Sequence, residues 1–192
     1  MNVNPADRPA AHPTAARTGN PLVCFVLGGA RSGKSAWAEA ETMASGLAPI
    51  YVATCEPGDE EMAERVRRHR DRRGSGWTTA EAPLDLVAAI EAQAGPGRAL
   101  LVDCLTLWLS NLMAAGRDPE AEGERLAACL AEVAGPVVVV SNEVGHGIVP
   151  DNAAARAFRD AAGRLHQTVA AAAGRVILVS AGLPLILKDL RL

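Results

Sequence analysis

The chain has 192 residues, near the roughly 150 of one average domain, and 19 Lys+Arg against 22 Asp+Glu leave a formal net charge of −3. At 49% hydrophobic and 21% charged residues it reads as globular rather than disordered. The mild acidity argues against a generic nucleic-acid binder, which needs surplus cations, and 3% aromatics are too few for a base-stacking platform.

Residues 1–20 carry Pro5, Pro9 and Pro13 and no apolar core of the kind a secretory signal requires, so a disordered extension is expected ahead of one domain spanning 21–192. From Leu22 short apolar runs alternate with longer amphipathic ones. The run 22–27 predicts a buried strand, and 28-GGARSGKS-35 follows it. This segment matches G-x-x-x-x-G-K-[ST] at every fixed position and leads into a predicted helix over 34–45. Gly28, Gly29 and Gly33 let backbone N–H groups curl around an anion, and the helix N-terminus adds its dipole. In that setting Lys34 reaches β- and γ-phosphates, and the Ser35 hydroxyl ligates Mg²⁺. The motif predicts a nucleoside triphosphate site.

A second strand is expected over 50–54, then a helix over 59–73 that holds 65-RVRRHRDRR-73, six arginines around His69. Two readings stand for this helix. It is a solvated face whose arginines pair with Glu60, Glu61 and Glu64, or it is an anion-handling surface that holds His69 neutral and ready to attack phosphorus. A helix over 84–93 precedes the strand 99–104, where Asp103 is the one acid cleanly placed at a strand end. It serves Mg²⁺ and its waters, or it caps the helix expected over 105–115. After a further helix over 119–134 comes the strand 137–141, and Glu143 just beyond it is either a catalytic base or a loop anchor. His146 in the following loop and His166 within the helix expected over 152–173 read as packing or surface residues. Arg156, Asp160, Gly163 and Gln167 share one face of that helix, a stripe suited to a subunit interface or a substrate groove. The strand 176–180 and a short edge strand over 183–188 close the chain.

Continuous rather than alternating apolar runs mark strands covered on both faces, so the fold class is α/β with a mostly parallel sheet flanked by helices. Cys24, Cys55, Cys104 and Cys129 form no C-x-x-C pair, which disfavours a zinc or disulfide framework and suits a reducing compartment. No apolar run approaches the ~18 residues of a membrane span.

Together, 28-GGARSGKS-35, 51-YVAT-54, 60-EEMAERVRRHR-70, 77-WTTAEAPLDL-86, 102-VDCLTLWLSNL-112, 141-SNEVGHGIVP-150, 156-RAFRDAAGRLHQ-167 and 182-GLPLILK-188 resemble the bifunctional adenosylcobinamide kinase / adenosylcobinamide-phosphate guanylyltransferase family of cobalamin biosynthesis. The resemblance runs from about Val23 to Lys188 in family order. It implies a single-domain, RecA-like P-loop protein, a cytoplasmic homotrimer with no nucleic-acid partner. ATP or GTP would phosphorylate the hydroxyl of adenosylcobinamide. GTP would then donate GMP to adenosylcobinamide phosphate through a guanylylated histidine, which falls on His69, with Lys34 as the other catalytic residue. The implied nucleotide contacts are Gly28, Gly29, Ala30, Arg31, Ser32, Gly33, Lys34, Ser35, Ala53, Thr54, Cys55, Arg70, Asp71, Arg72, Arg73, Glu81 and Asp103, with Mg²⁺ on Ser35 and Asp103. The family commonly reads GR-x-NQ where this chain has His166. From the residues alone, a plain P-loop small-molecule kinase and a nucleotide-gated regulatory NTPase are the competing readings.

Overall fold

The computed structural model describes residues 18–55, 74 and 76–192. The expected extension, apart from Thr18, Gly19 and Asn20, and the expected helix over 59–73, with His69, Arg70, Asp71, Arg72 and Arg73, lie outside the described residues.

The elements run in the order β1 (Asn20–Gly28), α1 (Lys34–Ala44), β2 (Ala48–Ala53), β3 (Thr78–Glu81), α2 (Leu86–Gln93), β4 (Arg98–Asp103), α3 (Leu105–Ala114), α4 (Pro119–Glu132), β5 (Val137–Asn142), α5 (Ala153–Ala172), β6 (Ala173–Ser180) and β7 (Leu183–Asp189). One seven-stranded sheet has the order β3-β2-β4-β5-β1-β6-β7, parallel throughout except for β7, which pairs antiparallel with β6. The α/β class is as expected. β5 separates β1, which leads into the glycine loop, from β4, which ends on Asp103.

Period-two side-chain alternation splits each buried strand between two cores. Val23, Phe25 and Leu27 of β1, with Leu100, Val102, Val137 and Val139, pack under α2 to α5 through Leu86, Ile90, Trp108, Leu112, Leu126, Leu130, Leu165 and Val169. Cys24 and Val26, with Leu101, Val138, Val140, Ile177 and Val179, face Trp37 and Ala38 of α1. Both faces of the central strands are therefore dry, which is why their sequences read as unbroken apolar runs.

The strands depart from the sequence reading in several places, β6 for one starting at Ala173, three residues ahead of the expected run. β3 was not expected as a strand, because Thr78, Thr79 and Glu81 are exposed on a four-residue edge with no apolar run to mark it. β1 also begins earlier than the apolar run, at Asn20, a residue assigned from sequence to the extension. The Asn20 side-chain amide donates to the carbonyls of Leu130, Ala131 and Val133, closing the C-terminal end of α4. Lys188 does the same for α5, donating to Ala170 and Ala171.

Candidate functional site

Among the described residues, the glycine loop 28–35, Ala53, Thr54, Cys55, Glu81, Asp103 and Glu143 lie at the carboxyl edge of the sheet, where ligands of open α/β folds bind. The glycine loop turns from β1 into α1 there. A side chain at Gly28 would collide with Ser32 Oγ and come within 2.6 Å of the Val179 carbonyl, so the first glycine is a packing requirement. Gly33 takes a positive φ of 96° as the residue before α1, and no side chain caps that helix start. Lys34 N donates to Ser32 Oγ at 3.4 Å, and the helix start that follows the loop is suited to an anion. Arg31 also has a positive φ, 57°. The loop is braced from both flanking strands: Glu143 N donates to Gly28 O at 3.0 Å, and Gly182 N, in the β6–β7 turn, donates to Ser32 O at 2.8 Å.

Lys34 is buried at 8% exposure, and its ammonium donates back to Gly29 O at 3.1 Å, so the cation lies inside the loop's curl. Ser35 follows on the first turn of α1, half-buried.

Strand register aligns a second group. Ala53 of β2 stands opposite Glu81 on β3 and opposite Asp103 on β4, a row of three sequence-predicted residues at the same level of the sheet edge. Asp103 Oδ2 accepts from the Tyr51 hydroxyl at 3.2 Å. It lies directly before Cys104, the residue preceding α3, whose thiol is raised above the usual range by burial first and by the Asp103 charge second, with Lys34 opposing. A hydroxyl at Ser35 and a carboxylate at Asp103 are hard oxygen donors, a set that fits Mg²⁺ held jointly with nucleotide phosphates.

Thr54 has a different part. Its side chain is fully buried, donates to Cys104 O and accepts from Cys104 N, both at 2.8 Å. Its own carbonyl is held by Asn111 of α3. Thr54 locks the end of β2 to the start of α3, leaving half-buried Cys55 as the next residue along the edge.

Glu143 and His166 are closer to one another than the sequence could indicate. His166 is buried on α5, with Nε2 2.8 Å from Ser141 Oγ and Nδ1 3.8 Å from Glu143 Oε2. Burial lowers its pKa from the ordinary value, and the Glu143 charge opposes that. His146 is exposed, as are Asp160, Gly163 and Gln167 of the α5 stripe. Arg156, the fourth residue of the stripe, turns away to donate to Pro150 O and Asp151 O. It anchors the loop that follows Glu143.

Residues 24–187 match the family model described as cobinamide kinase / cobinamide phosphate guanyltransferase. The chain is 49% identical over 166 residues to the bifunctional adenosylcobalamin biosynthesis protein CobP of Pseudomonas aeruginosa, covering 85% of this chain and 96% of that one. It is 43% identical over 185 residues to CobU of Salmonella typhimurium, covering 87% and 100%. Against CobU of Escherichia coli the figures are 38% over 182 residues, 87% and 100%.

Proposed function

Because the chain belongs to the cobinamide kinase / cobinamide phosphate guanyltransferase family, we propose that this one molecule carries both activities, phosphorylating adenosylcobinamide and then transferring GMP from GTP to the product. The observation that carries the kinase half is the loop from Gly28 to Lys34, a backbone cradle at a helix start with a buried lysine turned into it. The triphosphate of ATP or GTP lies in that cradle. Ser35 and Asp103 would hold Mg²⁺ together with the phosphates, and the cation would supply positive charge against the transferring phosphoryl group. Ala53 and Glu81, in register with Asp103, and Cys55 beside them contact the nucleotide away from the triphosphate.

The second activity joins two anions, GTP and a phosphorylated acceptor. A covalent histidine–GMP lets pyrophosphate leave before the second anion arrives. His69 is the nucleophile in this reading, and Arg70, Arg72 and Arg73 offset the charge on the α-phosphate and the leaving group. The protein works as a homotrimer in the cytoplasm. Support for the compartment comes from its free cysteines. Support for assembly comes from the edge strand β7, whose Leu183, Leu185, Ile186 and Leu187 are all exposed.

The test is GTP labelled at the α-phosphate, with Mg²⁺ and no corrinoid. The wild type acquires one acid-labile, base-stable GMP. His69→Ala acquires none, and it still phosphorylates adenosylcobinamide. An adduct that persists in His69→Ala moves the nucleophile elsewhere, and an unlabelled wild type means direct transfer.

A further inference from the structure

We propose that Glu143 is the general base of the kinase step and that His166 is the positioning residue that aims it, an inference that rests on the kinase reading above. Glu143 is the first residue beyond β5, the strand inserted between the phosphate-loop strand and the strand of Asp103. Its backbone N–H is bonded to Gly28 O at 3.0 Å, so the residue is fastened to the loop that cradles the triphosphate. One carboxylate oxygen, Oε1, accepts from Gly145 N; the other, Oε2, faces His166. The side chain retains 19% exposure, enough to meet an acceptor hydroxyl from the solvent side.

His166 is held from two sides. Ser141 of β5 bonds Nε2, and the Phe25 ring of β1 packs against the imidazole at 5.8 Å between centroids. Glu143 is the charged group acting on it. A Ser141 hydroxyl that donates to Nε2 leaves the proton of the neutral imidazole on Nδ1, the nitrogen 3.8 Å from Glu143 Oε2. This is the base-and-orienter relation in which one group takes the proton and a second fixes its direction. In the reaction the acceptor oxygen bonds to the γ-phosphorus while the bond to the β–γ bridging oxygen breaks. That electron pair leaves on the nucleoside diphosphate, and the hydroxyl proton passes to Glu143 and then to water. Protonating His166 would draw the carboxylate into an ion pair and weaken it as a base.

The experiment follows kinase kcat and KM across pH 5 to 9. Glu143→Gln is expected to lower kcat about 100-fold, with the nucleotide KM within twofold of wild type. His166→Phe fills the same space without a proton and should lower kcat about tenfold, while His166→Asn, which restores an N–H, recovers most of that loss. On the acid side, the fall of kcat that protonating His166 brings to wild type is missing from His166→Asn. A Glu143→Gln enzyme within threefold of wild-type kcat overturns the base, and identical acid limbs in wild type and His166→Asn overturn the positioning role. Should His166→Phe not fold, the His166→Asn limb decides. Absence of phosphorylation by the wild type at every pH would instead count against the kinase reading.

Discussion

Lys34 combines burial with a carbonyl partner on its own loop, so its charge is already desolvated and aimed before a nucleotide arrives. Such preorganised cations are worth most where charge develops in the transition state, about 3 kcal/mol or more. Lys34→Ala should therefore cut phosphorylation of adenosylcobinamide at least about 100-fold, with a thermal midpoint near that of wild type. Near wild-type turnover in steady-state assays would remove the phosphate-loop assignment. Thr54 shows the opposite relation between motif and role. It belongs to a segment shared with the family, yet both hydrogen-bonding capacities of its hydroxyl are spent on Cys104. What it contributes to the site is the position of Ala53 and Cys55 on either side of it.

At the scale of elements, β7 poses a problem of attachment, since among the described residues no strand pairs with its outer edge and its leucines are exposed. The strand is held from behind by ions. Buried Arg175 of β6 pairs with Glu41 of α1 and, at 3.1 Å, with Asp189 of β7, while its guanidinium lies 5.9 Å from the Trp37 ring centroid. Arg191 hydrogen-bonds the same Asp189, and this contact above all holds its carboxyl down to about 2. The sign follows from that depression. Asp189 stabilises the fold above the ordinary carboxylate range near 3.9, and the contribution fades as pH falls toward 2. Asp189→Asn should lower stability at pH 7 by about 1 kcal/mol, an amount held down by the exposure of Arg191. Urea melts should show the gap closing as the pH approaches 2, and a gap independent of pH would contradict the ion-pair account. Because the β6–β7 turn also bonds Ser32, loosening β7 reaches the phosphate loop.

For the whole molecule, assembly is the open physical quantity. The α5 stripe expected to line an interface or groove is exposed at Asp160, Gly163 and Gln167, whereas Arg156 is committed to the loop after Glu143. Asp160→Ala is thus the cleaner probe, because Arg156→Ala would also release that loop. Sedimentation should show three copies of the 19.9 kDa chain for wild type, and Asp160→Ala should shift either that assembly or the KM for adenosylcobinamide. Unchanged values of both would leave the stripe an ordinary solvated face. Among the described residues no helix is long and apolar enough to cross a membrane.

The sequence by itself determined the parts whose physics is local. Runs such as 137-VVVVS-141 can be satisfied only by a strand covered on both faces, and 28-GGARSGKS-35 carries its own turn, helix start and lysine within eight residues. The sequence alone therefore places Lys34, Asp103 and Glu143 beside the carboxyl ends of strands. Strand order and register are set by contacts between residues far apart in the chain, and only the tertiary structure decided them. A short polar edge strand such as β3 carries no apolar signature, because it buries little and takes its pairing from β2. Without β3, Glu81 could not be set in one row with Ala53 and Asp103. In the same way His166 looks like any helical histidine until α5 packs on the sheet and brings it to Ser141, 25 positions earlier, and within reach of Glu143. Periodicity tells which side of a helix is buried; what meets it there is a property of the packed molecule.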